Sequence, residues 1–229
     1  MMLLAVGCNF RSAAIALRER LAFKDADVPR ALEALTVRYG CEAVLLNTCN
    51  RVELYLAKPP LPTAAGVFDA DLIAEFLGEW HHVRPDELRS HLYQHRDDTA
   101  VRHLFRVVAS LDSMIVGEGQ IAGQVKAAYE LAQKQGTAGG MLHALFQHAR
   151  LVGKRVRTET GIAQGHVSIS SAAVVQVRPQ LGERQAARLA QELGDQVGVG
   201  GECGAGAGQV QLDAVAGAED HRLAVVADG

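Results

Sequence analysis

Several things are scarce in this 229-residue chain, and each scarcity excludes a class of protein. Aromatic residues make up only 5% of it, and none follows Phe146. The formal net charge is -3, so the chain has no basic excess of the kind a charge-driven nucleic-acid binder carries, and any RNA contact must come from a local patch. No apolar run reaches the roughly 18 residues that cross a bilayer. The start, Met-Met-Leu-Leu-Ala-Val-Gly-Cys, has no basic flank and meets Asn9 and Arg11 quickly, so it reads as a buried strand and not as a signal peptide. The four cysteines, Cys8, Cys41, Cys49 and Cys203, are far apart, with no C-x-x-C pair. That argues against a zinc site or a disulfide framework and for a reducing cytoplasm.

What remains is apolar enough, at 48%, to bury a sizeable core. The pattern from the start is a short apolar strand over 3–8, helical spacing over 15–23 and 28–39, a strand over 43–46 and an alternating strand from Arg51 to Leu56. In the second helix Val28, Ala31, Leu32 and Leu35 share a face and Gly40 supplies the stop. Lys58-Pro59-Pro60-Leu61-Pro62 is a loop, because closely spaced prolines continue neither sheet nor helix. An amphipathic helix over 68–82, with Leu72, Phe76 and Trp80 on one face, precedes a short helix opened by Pro85 and a strand over 91–95. The order β-α-α-β-β-α-α-β is a split β-α-β, ferredoxin-like arrangement of the α+β class, with an antiparallel sheet and helices on one side.

A helical segment follows. Asp98 or Thr99 caps a helix with the stripe Val101, Leu104, Phe105, Val108 and Leu111. Ile121, Val125, Ala128, Tyr129 and Ala132 form a second stripe, and 141–157 a third helix. The last third is rich in Gly, Ala, Val, Gln and Arg, with no lysine after Lys154. Such a Gly/Ala-rich tail has little to set against its own ordering entropy and is expected to be poorly ordered.

Four places can carry chemistry. Cys49 lies between two strands beside Thr48, Asn50 and Arg51. A nearby cation favours a thiolate, and a tight turn aims backbone N–H groups where an oxyanion forms; a small buried residue at a strand end is the competing explanation. His103 lies off the apolar stripe, as a general base or a carbonyl-polarising group would, although most histidines serve surface or packing. The segment from Ser110 to Gln120 runs from one helix to the next through Gly117 and Gly119, and Ser113, Glu118, Gln120 and Gln124 offer polar groups for a ligand; alternatively, Ser113 or Glu118 serves helix capping. Arg150, Lys154, Arg155 and Arg157 make a basic helical face, suited to a phosphate backbone or simply to solvent. Gly204-Ala205-Gly206-Ala207-Gly208 is not a dinucleotide fingerprint, because Gln209 stands where the third glycine is needed and a poor strand precedes it.

Three stretches together resemble the glutamyl-tRNA reductases: Leu46-Asn47-Thr48-Cys49-Asn50-Arg51-Val52-Glu53-Leu54-Tyr55, the run from His103 to Lys126, and Gly153 to Ile162. Leu17 to Phe23 fits as well, and the resemblance extends to about residue 174. It implies a catalytic domain over 1–160 and an atypical tail over 161–229 in place of the family's NADPH-binding and dimerisation domains. It implies NADPH-dependent reduction of glutamyl-tRNA to glutamate 1-semialdehyde, the first step of tetrapyrrole synthesis by the five-carbon route. In that reaction Cys49 forms a glutamyl thioester and His103 supports catalysis. Thr48, Asn50, Arg51, Ser113, Glu118, Gly119, Gln120 and Gln124 surround the glutamyl group, with Arg51 expected to fork onto its carboxylate. No metal is implied. The partners implied are glutamyl-tRNA and the aminomutase that follows, in the cytoplasm; dimerisation by the family's route is not expected from this sequence. Phe10 stands where the family has histidine, and Ser110 where it has glycine. The departure after Val175 leaves two further readings: a remnant that binds without reducing, and a thiol hydrolase that deacylates glutamyl-tRNA.

Overall fold

The computed structural model describes residues 2–59 and 68–163; the end of the proline loop, the tail and Gly204–Gly208 lie outside them. Four strands and seven helices run in the expected order: β1 (Met2–Asn9), α1 (Ile15–Leu21), α2 (Val28–Tyr39), β2 (Glu42–Asn47), β3 (Arg51–Lys58), α3 (Ala70–His81), α4 (Pro85–Arg89), β4 (Tyr93–Arg96), α5 (Asp97–Val108), α6 (Gln120–Lys134) and α7 (Gly140–Glu159). The sheet order is β2-β3-β1-β4, every neighbour pair antiparallel, which is the ferredoxin-like arrangement. Two compact units divide the chain. The first holds Met1–Met114 and Gln120–Val156, and the described part of the second is 115–119 and 157–163.

The sheet differs from the sequence expectation in one respect that matters for the site. Alternation in β3 predicted one solvent face, yet Arg51 to Ala57 is buried throughout. Successive side chains in a strand point to opposite faces. Val52, Leu54 and Leu56 take one face, where α1 contacts β3 and α2 contacts β2. Arg51, Glu53 and Tyr55 take the other, which α5 and α7 cover: His103 meets Glu53, and the Phe146 ring lies edge-on to Tyr55 at 5.4 Å. Helices therefore lie on both faces, and the polar stripe of β3 is interior.

Local chemistry sets the remaining elements. Gly40 ends α2 at φ 58 with its N–H on the Thr36 carbonyl, as the left-handed stop requires. Gly7 pairs with Glu53, and a Cβ there would lie 2.3 Å from the Val52 carbonyl oxygen, so β1 approaches β3 closely only because position 7 has no side chain. In α3 the buried face is Ile73, Ala74, Phe76 and Leu77, with Leu72 and Trp80 packed at its margin. In α5 the buried face is Ala100, His103, Leu104, Val107 and Val108, rotated from the expected stripe so that His103 points inward and Leu111, beyond the helix, is exposed. Neither Asp98 nor Thr99 is the N-cap. Thr99 lies within the first turn and its hydroxyl accepts from the Arg96 N–H at 2.8 Å. Ser110 adopts φ 58, which explains a glycine preference at that position.

The edge strand β2 is tied to the helical segment. Its Ala43 N–H donates to the Thr137 carbonyl at 2.8 Å, and the Thr137 hydroxyl donates back to the Ala43 carbonyl at 3.0 Å. Glu42 then accepts from the N–H groups of Met141 and Leu142 at the start of α7, a cap supplied by another element.

His82 ends α3 in the left-handed region at φ 55, with its N–H on the Gly78 carbonyl, and its side chain is exposed. A Cβ in that region costs about 1–2 kcal/mol. His82→Gly is therefore expected to raise stability by about 1 kcal/mol, measured as a higher urea midpoint with an unchanged slope.

A candidate active site on the β2–β3 hairpin

Cys49 occupies the three-residue connection between β2 and β3. The turn is closed by the Thr48 N–H on the Arg51 carbonyl at 2.9 Å, and the Thr48 hydroxyl accepts from the N–H groups of Asn50 and Arg51 at 3.2 and 3.1 Å. Arg18, buried on α1, clamps it from the other side: its guanidinium donates to the Cys49 carbonyl at 2.5 Å and to Asn50 Oδ1 at 3.4 Å. Thr48 and Asn50 thus hold the turn's shape. The Cys49 side chain is exposed, whereas Cys8 and Cys41 are buried and burial pushes each thiol up to about 11. Reactivity belongs to the accessible thiolate. Brief alkylation at neutral pH followed by peptide mapping is expected to label Cys49 at least about tenfold faster than Cys8 or Cys41, and equal labelling would remove the distinction.

Beneath the hairpin lies a buried polar network. Glu53 Oε1 accepts from Arg51 at 2.7 Å, from His103 Nε2 at 3.0 Å and from the Tyr93 hydroxyl, and Oε2 accepts from the Tyr55 hydroxyl at 2.6 Å. Burial alone pushes the Glu53 carboxyl up, but the His103 hydrogen bond and the Arg51 charge outweigh it and hold it down at about 2. Burial also works against the Arg51 charge, and Glu53 overcomes it, so the guanidinium is held above its ordinary range. Burial and the Glu53 charge together keep Tyr55 and Tyr93 protonated as donors. Because an ionised Glu53 only accepts, the His103 proton lies on Nε2.

Arg51 continues the network to Asp112, with both terminal nitrogens 3.3 Å from Asp112 Oδ2 and a further hydrogen bond to the Asp112 carbonyl. Arg11 binds Oδ1 of the same carboxylate, and Asn9 reaches Oδ2 at 3.4 Å. The fork expected on Arg51 for a substrate carboxylate is therefore occupied by Glu53 and Asp112, with only 2% of the side chain exposed. The physical reason is the interior face of β3: a buried guanidinium needs carboxylates of its own.

The other expected residues are distributed as follows. Ser113 is buried immediately after Asp112. Gln120 and Gln124 lie one turn apart at the start of α6, on a common face. Glu118 and Gly119 belong to the second unit, where burial raises the Glu118 carboxyl and Arg157 donates to the Gly119 carbonyl at 3.4 Å. His103 is brought to Glu53. The basic residues Arg150, Lys154, Arg155 and Arg157 lie on the C-terminal half of α7. Sequence reasoning missed Arg18, Asp112 and Glu53 as site residues; the signal for Glu53 was a charged residue between Arg51 and Tyr55 on one strand face, which alternation alone assigns to solvent.

The α+β sheet of this order carries an exposed cysteine on a clamped hairpin above a buried Arg–Glu–Asp network. Residues 6–160 match the family described as glutamyl-tRNA(Glu) reductase, N-terminal domain. The chain belongs to the glutamyl-tRNA reductase family, through that domain. It is 43% identical over 175 residues to glutamyl-tRNA reductase of Pseudomonas fluorescens, covering 76% of this chain and 40% of the relative. For the enzyme of Magnetococcus marinus the identity is 46% over 175 residues, again 76% of this chain and 40% of the relative. Among solved structures, glutamyl-tRNA reductase from Methanopyrus kandleri matches with a TM-score of 0.60 and 33% identity, over 83% of this chain and 46% of that one. The chain thus spans about 40% of the length of the curated relatives it matches. No described helix is long and apolar enough to cross a membrane.

Proposed function

We propose that this chain performs the acyl-transfer half of the glutamyl-tRNA reductase reaction, the entry to tetrapyrrole synthesis. The Cys49 thiolate attacks the ester carbonyl of glutamyl-tRNA. A bond forms between Sγ and the carbonyl carbon, the bond to the terminal ribose oxygen breaks, and that oxygen takes a proton as tRNA leaves. A glutamyl thioester remains on Cys49. The observation that carries this is the exposed Cys49 on a turn fixed by Arg18 and Thr48, in contrast to two buried thiols. His103, its tautomer set by Glu53, keeps Nδ1 as the nitrogen able to take a proton. Ser113, Gln120 and Gln124 are the amide and hydroxyl groups we assign to the glutamyl side chain.

NADPH supplies the hydride in the family's reaction. The described residues do not fit it: every strand pair is antiparallel, and none opens a glycine-rich turn onto a helix N-terminus. No step through NADPH is therefore assigned to these residues. That same observation favours a second reading in which water cleaves the thioester and the net reaction is deacylation.

The test is tRNA charged with radiolabelled glutamate, with and without NADPH. Label held on the protein and then released as free glutamate, regardless of NADPH, supports acyl transfer without reduction. Semialdehyde formed only with NADPH supports the complete reaction. Label that never leaves the tRNA refutes both. Arg18 acts here as a positioning residue. Arg18→Leu is expected to slow thioester formation about 10–100-fold by loosening the turn, while alkylation of Cys49 by a small reagent continues.

A further inference from the structure

Beside the network is an open cleft of about 410 Å³ between the end of β1, β4 and α5, lined in part by Arg11, His95, Arg102, His103, Arg106 and Asp112. Its charge balance is uneven. Asp112 is its one lining acid, and that carboxylate is already taken by Arg11 on one oxygen and by Arg51 on the other. Glu53, beneath, is fully engaged by Arg51, His103 and the two tyrosines. Arg102 and Arg106 are exposed, stand one turn apart on α5, and meet no carboxylate among the described residues. Two guanidinium forks thus face the cleft with no internal counter-charge, above a floor that already holds a buried, self-neutralised cluster.

We infer that this cleft binds phosphate groups of the RNA substrate's backbone, with Arg102 and Arg106 as the ligating residues. The inference rests on the acyl-transfer reading and adds how the polyanion is held. Arginine forks match phosphate oxygens in pairs. The chain as a whole carries -3, so its net charge repels RNA and a focused local patch is needed. Both guanidiniums lie exposed along one helix face and not at the bottom of an enclosed pocket, which suits a strand passing across the cleft better than a single small anion. The basic residues of α7 differ in this respect: Lys154 and Arg155 already have interactions within the protein.

The experiment uses the full chain, uncharged tRNA(Glu), and the double variant Arg102→Glu/Arg106→Glu. The dissociation constant for tRNA is expected to rise at least about tenfold at low salt, and the slope of log affinity against log salt to fall by about two. Glutamylation of Cys49 by a small glutamyl ester lacking phosphate reports the thiol alone and is expected to keep its wild-type rate in the variant. Unchanged tRNA affinity and salt slope would overturn the inference. So would inorganic phosphate that binds wild type but not the variant while tRNA binds both equally, because the cleft would then take a free anion. If wild type binds tRNA through these arginines but never reacts with the small ester, the acyl-transfer reading fails and the RNA site stands.

Discussion

Cys49→Ser is expected to abolish the protein-bound glutamyl adduct and to slow release of glutamate from its tRNA by a factor on the order of 10⁴ or more, the scale of nucleophile loss in covalent catalysis. Serine keeps the size of the residue, and an exposed position on a turn built from backbone and Thr48 contacts imposes little folding cost. The hydroxyl is a far weaker nucleophile than a thiolate at neutral pH. Circular dichroism and tRNA affinity are therefore expected to match wild type, which separates lost chemistry from lost structure. Intact mass measurement after mixing with glutamyl-tRNA decides it: an adduct that persists in Cys49→Ser means that another group accepts the glutamate.

The second large effect concerns Glu53. Glu53→Gln removes the charge that Arg51 is buried against, and breaking a buried pair costs about 3–5 kcal/mol. Asp112, still within 3.3 Å of Arg51, keeps the expected loss near the lower end, about 3 kcal/mol. In a chain of this size that lowers Tm on the order of 10 °C. The same residue shapes acid stability. Its carboxyl titrates at about 2 when folded and 4.5 ordinarily, so the unfolded chain binds the proton first as pH falls. Its contribution is complete above about pH 4.5 and is lost on the way down to about 2. His81 adds an earlier loss. Its Nε2 is buried without a hydrogen-bond partner among the described residues, and burial pushes its pKa from 6.5 to about 4. Protonation is thus easier in the unfolded chain, and stability falls from about pH 6.5 to about 4. Denaturant midpoints from pH 7 to 3 are expected to decline in two stages in wild type. His81→Phe flattens the upper stage and Glu53→Gln the lower. An E53Q protein as stable as wild type at pH 7 would show that the network contributes nothing net.

The strand order was legible because apolar runs of the right length alternated with amphipathic helices, and Gly40 marked its helix end unambiguously. The inward turn of His103 was not legible. A stripe counted from Val101 and Leu104 takes histidine as polar and leaves it outside, whereas a carboxylate on a neighbouring strand makes the interior acceptable to it. The same limit applied to Arg51: its charge suggested a ligand, and only the packing of α5 and α7 on β3 shows that Glu53 and Asp112 claim it. Pair partners separated by 50 or 61 positions leave no trace in local periodicity. The turn between two strands that exposes Cys49 was legible through its neighbours, but Arg18, which fixes the turn from 31 positions away, was not.

The tie between Ala43 and Thr137 also bears on synthesis. A ribosome that has released only the four strands has made a sheet whose outer rim still offers free N–H and C=O groups, the template on which chains aggregate. The rim is closed by a residue 94 positions downstream. Fragments ending before Thr137 are therefore expected to precipitate, and the helical segment serves the nascent sheet as its own chaperone.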